Sequence, residues 1–186
     1  MIGALAVQET LTAYLDAHPE EKGTLAPFSE LLGLGVRVTS RMDFRGHVTA
    51  GAVVFNDLNQ VLHIHHRGLN RWLRPGGHLE TQDSTLLDAA LRELAEETGI
   101  RPTAVDTVCA GPIHIDVHPI PANEAKGEPA HQHFDCRYLF RTSSAGVLAL
   151  QAEEVTDYAW RDVDEIEDET LRQRVAAALA TSTARA

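Results

Sequence analysis

The 186-residue chain is predicted to adopt an α/β fold, and three observations carry that expectation. Two strand-like runs, HVTAGAVVFN from His47 and VLHIHHR from Val61, flank the turn DLNQ and read as a hairpin. A helix follows whose apolar stripe is Leu87, Leu91 and Leu94, at i, i+4 and i+7. Three more strand-like runs, a last strand and a C-terminal helix complete the order.

Composition sets the bounds. The length suits one sizeable core, and no biased tract or internal repeat interrupts it. A formal net charge of −11 argues against a nucleic acid polymer held by a basic surface. It leaves room for a small phosphorylated substrate, because a divalent metal can bridge acidic protein and phosphate. Cys109 and Cys136 lack metal or redox spacing and lie in strand-like runs, so both are expected to be buried free thiols in a reducing compartment. The N-terminus lacks a signal-peptide pattern and no run approaches membrane-spanning length. A cytoplasmic protein with no membrane partner is the expectation.

In chain order, LAVQETLTAYLDA (5–17) reads as a helix with Leu5, Leu11, Tyr14 and Leu15 roughly on one side. A short helix from Pro27 to Leu34 follows the break at HPEEKG. Residues 1–40 are therefore set apart as an N-terminal helical extension, with 41–186 as the main domain. The extension packs on the domain, forms a dimer element or caps the site. A short strand is expected around Val36–Thr39. After the hairpin, Trp72 and Leu73 form a short strand ended by Pro75. RPTAVDTV, GPIHIDVHPI and HQHFDCRYLFR are the next strands, and PANEAKGEPA is the hairpin loop between the last two. Residues 143–154 read mostly as loop, VTDYAWRDV as the last strand and ETLRQRVAAALATS as the final helix.

The chemistry concentrates in GGHLETQDSTLLDAALRELAEETGI (76–100). Glu93, Glu96 and Glu97 fall at i, i+3 and i+4, so three carboxylates share one helical face. Like charges so placed repel unless a cation gathers them, and Mg²⁺ or Mn²⁺ prefers such oxygens. Arg92 reaches Glu96 at i+4, and Gly99 reads as a left-handed cap.

This stretch resembles the Nudix box: Gly, five residues, Glu, seven residues, then Arg-Glu-apolar-x-Glu-Glu-x-Gly-apolar. Gly77, Arg92, Glu93, Leu94, Glu96, Glu97, Gly99 and Ile100 match its two ends. The middle departs, with one extra residue before Arg92 and Asp83 at the first acidic position, where the role of the usual glutamate is not carried over. The resemblance implies a Nudix-type α/β/α sandwich with a mixed β-sheet. It implies a divalent-metal-dependent hydrolase that cleaves a diphosphate bond in a nucleoside diphosphate linked to another moiety. Metal ligands would be Glu96, Glu97 and the Gly76 carbonyl. Glu93 would ligate metal or orient water, held by Arg92. The base often comes from a later loop in this family, which makes Glu153 and Glu154 the candidates, against their being solvated loop charges. The longer loop also resembles coenzyme A-cleaving members. A non-catalytic nucleotide-binding module is the other alternative, although such modules usually lose a box glutamate. Family members often dimerise, so a homodimer is a further expectation.

Two other groups bear on substrate. His66, Arg67, Arg71 and Arg74 put positive charge ahead of the box, suited to a phosphate, and Trp72 either stacks on a base or belongs to the core. His114, Asp116 and His118 alternate along one strand, and His131, His133 and Asp135 along the next; His63 and His65 share a face earlier. Paired as a hairpin, the two triplets would line one surface. That surface is a substrate pocket, a second, transition-metal site, or a polar face whose histidines are satisfied one by one.

Overall fold

The computed structural model describes residues 2–143 and 148–183, so the 144–147 part of the expected loop lies outside the described residues. Its order is α1 (Ala4–Ala17), α2 (Ala26–Gly33), β1 (His47–Phe55), β2 (Gln60–His66), β3 (Arg71–Leu73), β4 (Gly76–His78), α3 (Leu86–Thr98), β5 (Asp106–Thr107), β6 (His114–Ile120), β7 (His131–Arg141), β8 (Val155–Asp162) and α4 (Glu169–Thr183).

Val48 to Phe55 contain no alternation of polar and apolar residues, and a strand of that kind must be covered on both faces. β1 is buried along its whole length at the centre of a mixed eight-stranded sheet. One edge runs parallel to β7, from His47↔His133 to Phe55↔Arg141. The other edge is shared: β4 takes Thr49 to Gly51, and β2 touches only at Phe55↔Val61. β2 then diverges to pair with β3 and β8, so the expected hairpin is short. β6 lies antiparallel on the far side of β7.

Residues of β1 divide between two cores with a period of two, as strand geometry requires. Ala50, Ala52 and Val54 pack with Val7, Leu11, Phe28, Ala89 and Leu94 from α1, α2 and α3. Val53 and Phe55 pack with Leu139, Leu171 and Val175, so α4 covers the opposite face. The result is the α/β/α sandwich with a mixed sheet. The N-terminal helices pack into the first core: Phe28 stacks on Phe134 with centroids 4.4 Å apart. Tyr14 accepts a hydrogen bond from the Ile115 backbone N–H at 3.2 Å, and Arg174 of α4 bridges Tyr14 and Glu21.

Four local expectations are corrected. Leu5 is 71% exposed, because the inward face of α1 is Val7, Leu11 and Tyr14, and Leu5 lies about 200° around the helix from Val7. Val36–Thr39 forms no strand; Val38 is buried, but its carbonyl receives only one bond from this segment's neighbour, Val48 N–H at 2.7 Å. RPTAVDTV holds a 3-10 turn over Pro102–Ala104, and only its two-residue stretch Asp106–Thr107, β5, is strand. Cys136 is buried in β7, whereas Cys109 is half-buried outside any strand; both are free thiols.

Candidate active site

α3 is built to present carboxylates. Thr85 caps its start by accepting from the Asp88 N–H at 3.0 Å, and Gly99 ends it at φ 73°, a left-handed conformation that favours glycine. Burial of Leu86, Ala89, Ala90 and Leu94 fixes the helix's rotation. Glu93 and Glu97 then face β4, where two glycines are required by close approach. A Cβ on Gly76 would stand 2.8 Å from the Gly51 Cα, and one on Gly77 would stand 2.5 Å from a Glu93 oxygen. The Gly76 N–H donates to Glu97 Oε2 at 2.9 Å.

Arg92 is the hub. Its guanidinium donates to both Asp83 oxygens at 2.9 and 3.1 Å, to Glu93 at 3.0 Å, to Glu96 at 2.8 Å and to the His78 carbonyl at 2.8 Å. Burial works against its charge, but Asp83 and Glu93 outweigh burial and hold its pKa above the ordinary value. Asp83, 3% exposed, thus anchors the hub from the longer loop, a role the sequence did not assign it.

One arginine does not balance the cluster. Burial raises Glu93 to about 7 despite Arg92, and raises Glu97 to about 8, with Glu93 and Glu154 adding to the effect and the Gly76 N–H opposing it. A buried and a mostly buried carboxylate that are costly to ionise, set against glycine backbone, fit a hard divalent cation, which would favour their charged form. Glu96 is about half exposed at the same face.

The loop before β8 is tied to this helix. The Gln151 N–H donates to the Glu97 carbonyl at 3.2 Å, and the Glu154 N–H donates to the Gln151 carbonyl at 3.0 Å. Glu153 and Glu154 consequently join Glu93, Glu96 and Glu97 around one cavity of about 930 Å³. Arg67 also reaches the cavity, but its guanidinium donates to the Ala152 carbonyl at 2.9 and 3.1 Å. Arg74 lines the cavity with its Nε buried and without a hydrogen-bond partner, and burial lowers its pKa to about 10. Trp72 is half-buried, 4.5 Å under the Arg161 guanidinium.

The β6–β7 hairpin forms as expected, in a register that sets Asp116 opposite Asp135 and His118 opposite His133. It does not yield one uniform surface. Arg137, opposite His114, donates to Asp116 and Asp135 at 2.8 Å each and reaches Asp168 at 3.4 Å. Asp168 also caps α4, accepting from the Leu171 N–H at 2.9 Å. Burial opposes charge on Asp116 and Asp135, yet His118 and Arg137 hold Asp116 below its usual range, and Arg137 does the same for Asp135. His114 is buried beside this network, 3.5 Å from Asp168, and does not line the cavity. His118 does, held at 2.9 Å by Asp116.

Further along the same face, His133 joins His47 and His78, which the sequence did not single out. One ligand atom from each of the three lies within 4.8 Å of the others. Burial lowers all three, His78 to about 4 with Arg41 contributing, and His133 to about 3 with His47 and His78 contributing. His131 is beside them, its Nε2 3.2 Å from that of His133. His63 stands apart, buried against the Val61 carbonyl, and His65 contacts Thr156. A capping pattern at Asp168 and the position of His78 directly after the glycine pair were legible signals. Arg137 and His47 had none, because strand pairing alone brings them in.

Fold and site define a class: an α/β/α sandwich that gathers helix carboxylates against a Gly-Gly strand beside a polar cavity. The chain belongs to the NUDIX family, whose domain model matches residues 45–181. It is 35% identical over 107 residues to a probable DHNTP pyrophosphohydrolase of Lactococcus lactis, covering 54% of this chain and 61% of that protein. It is 34% identical over 132 residues to the m7GpppN-mRNA hydrolase NUDT17 of Danio rerio, covering 64% of this chain and 43% of that one. The chain thus spans less than two thirds of the length of these curated relatives. A C. elegans Ap4A hydrolase shares the fold, with a TM-score of 0.56 at 19% identity over 72% of this chain and 98% of the other. Among the described residues no helix is long and apolar enough to cross a membrane.

Proposed function

We propose that this protein is a Mg²⁺- or Mn²⁺-dependent hydrolase that cleaves a diphosphate bond in a nucleoside diphosphate linked to another moiety. The observation that carries the reading is the buried Glu97 with the mostly buried Glu93, brought against Gly76 and Gly77 with too little positive charge to balance them. Glu93, Glu96, Glu97 and the Gly76 carbonyl would hold the ion. When bound, it supplies positive charge where substitution at phosphorus builds negative charge on the phosphoryl oxygens.

The chain's own groups do the rest. Arg92 orients Glu93 through a 3.0 Å hydrogen bond while Asp83 holds Arg92 from behind. Glu154, whose charge is felt by both Glu93 and Glu97, and its neighbour Glu153 are the proposed bases for the attacking water. Arg74, buried at the cavity wall without a hydrogen-bond partner for its Nε, is the proposed phosphate contact, and Arg67 and His118 line the same space. Relatives named for pyrophosphate and cap hydrolysis support a diphosphate substrate. A cytoplasmic location belongs to the same proposal, supported by two free thiols that suit a reducing compartment.

The test is phosphate and nucleotide release from a panel of diphosphate compounds with Mg²⁺ or Mn²⁺. Glu97→Gln is expected to lower kcat by about 10²–10³-fold, the size of losing one group that stabilises transition-state charge. Unchanged turnover in that variant overturns the assignment.

A further inference from the structure

We propose that His47, His78, His131 and His133 form a second metal site, selective for a transition-metal ion with zinc foremost and distinct from the glutamate site on α3. It does not depend on the diphosphate reading.

The site is assembled by register across three adjacent strands. His47 of β1 is the direct partner of His133 in β7. His78 of β4 pairs with Thr49, two residues along β1 from His47 and therefore on the same face. His131 is two residues before His133, again on that face. The trio His47, His78 and His133 can each place a ring nitrogen within 4.8 Å of the other two. The His131 and His133 Nε2 atoms are 3.2 Å apart. Tetrahedral zinc with bonds near 2.0–2.1 Å spaces its ligand atoms about 3.3 Å apart, so the His131–His133 separation already matches two ligands of one ion.

Tautomers point the same way. His47 Nδ1 lies 3.2 Å from the Asp43 carbonyl, and His131 Nδ1 lies 2.9 Å from the Pro129 carbonyl. A carbonyl only accepts, so both Nδ1 atoms carry the proton, and the tautomer this fixes places each ring's lone pair on Nε2. This is the outer hydrogen bond that orients metal-binding histidines. The His47 Nε2 is buried and has no hydrogen-bond partner, although the residue is only 1% exposed. A buried acceptor without a donor is costly, and a cation satisfies it. An all-nitrogen set disfavours Mg²⁺ and favours Zn²⁺ and its neighbours, the reverse of the carboxylate set on α3. The ion would also cross-link β4, which carries Gly76 and Gly77, to β1 and β7.

Zinc content is measured by elemental analysis after reconstitution of the chelator-treated full chain with one equivalent of Zn²⁺ and desalting into excess Mg²⁺. One zinc per chain is expected in the wild type and in Glu97→Gln, and loss of that zinc in His78→Asn and His133→Gln with an unchanged circular dichroism spectrum. Absence of zinc from the wild type, retention in both histidine variants, or loss in Glu97→Gln alone overturns the site. If the histidine variants misfold, zinc-edge X-ray absorption of the wild type decides. An imidazole-dominated nitrogen shell supports the site, and a carboxylate-dominated shell overturns it. Failure of the phosphate-release assay leaves each of these outcomes readable.

Discussion

Two arginines, Arg92 and Arg137, each collect carboxylates from several elements, and they do so to opposite effect. Around Arg137, Asp116, Asp135 and Asp168 come from two strands and a helix start, with Arg74 near enough to add a second positive charge. Asp116 and Asp135 stay ionised there, held below the usual carboxylate range against burial. Around Arg92, Asp83, Glu93 and Glu96 are paired, but Glu97 has only the Gly76 N–H, and both Glu93 and Glu97 are pushed up into the neutral range. The first network joins the sheet to α4 and borders the cavity with Asp135 and Arg137, its aspartates held ionised. The second lines the same cavity but is short of positive charge. The same residue types therefore form a paired wall of the cavity in one place and an unbalanced carboxylate cluster in the other, and the difference is charge balance under burial.

The largest test of that contrast removes the centre of the Arg137 network. Arg137→Met leaves three aspartates around an apolar side chain, and breaking a buried ion pair on one side costs about 3–5 kcal/mol. Urea unfolding monitored by circular dichroism should show that loss; a change under about 1 kcal/mol, far below the buried-pair figure, would show the network is not structural.

The Arg92 network should behave in the reverse sense once divalent metal is removed. Glu93 and Glu97 have folded pKa values of about 7 and about 8 against an ordinary 4.5. Raised carboxylates contribute stability that is complete below the unfolded value and is lost as pH rises through the folded one. Chelator-treated protein should thus lose stability between roughly pH 4.5 and 8, and Mg²⁺ should restore it at the alkaline end. Glu97→Gln should be the more stable chain at pH 8 without metal, by about 1–3 kcal/mol, since the amide stays buried but carries no charge. A flat thermal-unfolding profile over that range would refute the uncompensated pair.

A smaller effect separates the two halves of the Arg92 hub. Asp83→Asn keeps one acceptor for the guanidinium and removes the charge, which should cost about 1.5 kcal/mol. Equal stability of the two chains by differential scanning calorimetry would reduce Asp83 to a spacer in the longer loop.

How much of this was readable in advance depends on the range of the interactions. The spacing of Arg92, Glu93, Glu96 and Glu97 and the Gly99 cap lie within one helix, and the chain determined them by itself; of the expected stripe only Leu94 is fully buried, because Leu86, Ala89 and Ala90 take the inner face and leave Leu87 and Leu91 half-buried. The largely apolar run of β1 likewise announced a buried strand, and the β6–β7 hairpin followed from two adjacent runs. Leu5, Val36–Thr39 and β5 were misread where a short apolar stretch had to be assigned a face or a partner without knowing its neighbours.

Only the tertiary structure decided who meets whom across long separations. The parallel pairing of β1 with β7 brings His47 to His133, and the docking of β4 brings His78 to both, over gaps that no periodicity spans. The same packing put Arg137 among three aspartates and left Glu93 and Glu97 short of positive charge. Side-chain spacing is a local property of helix and strand, whereas burial and charge balance are properties of the assembled sheet. The carboxylates could be named from the chain, but their need for a cation became visible only when the fold took water away from them.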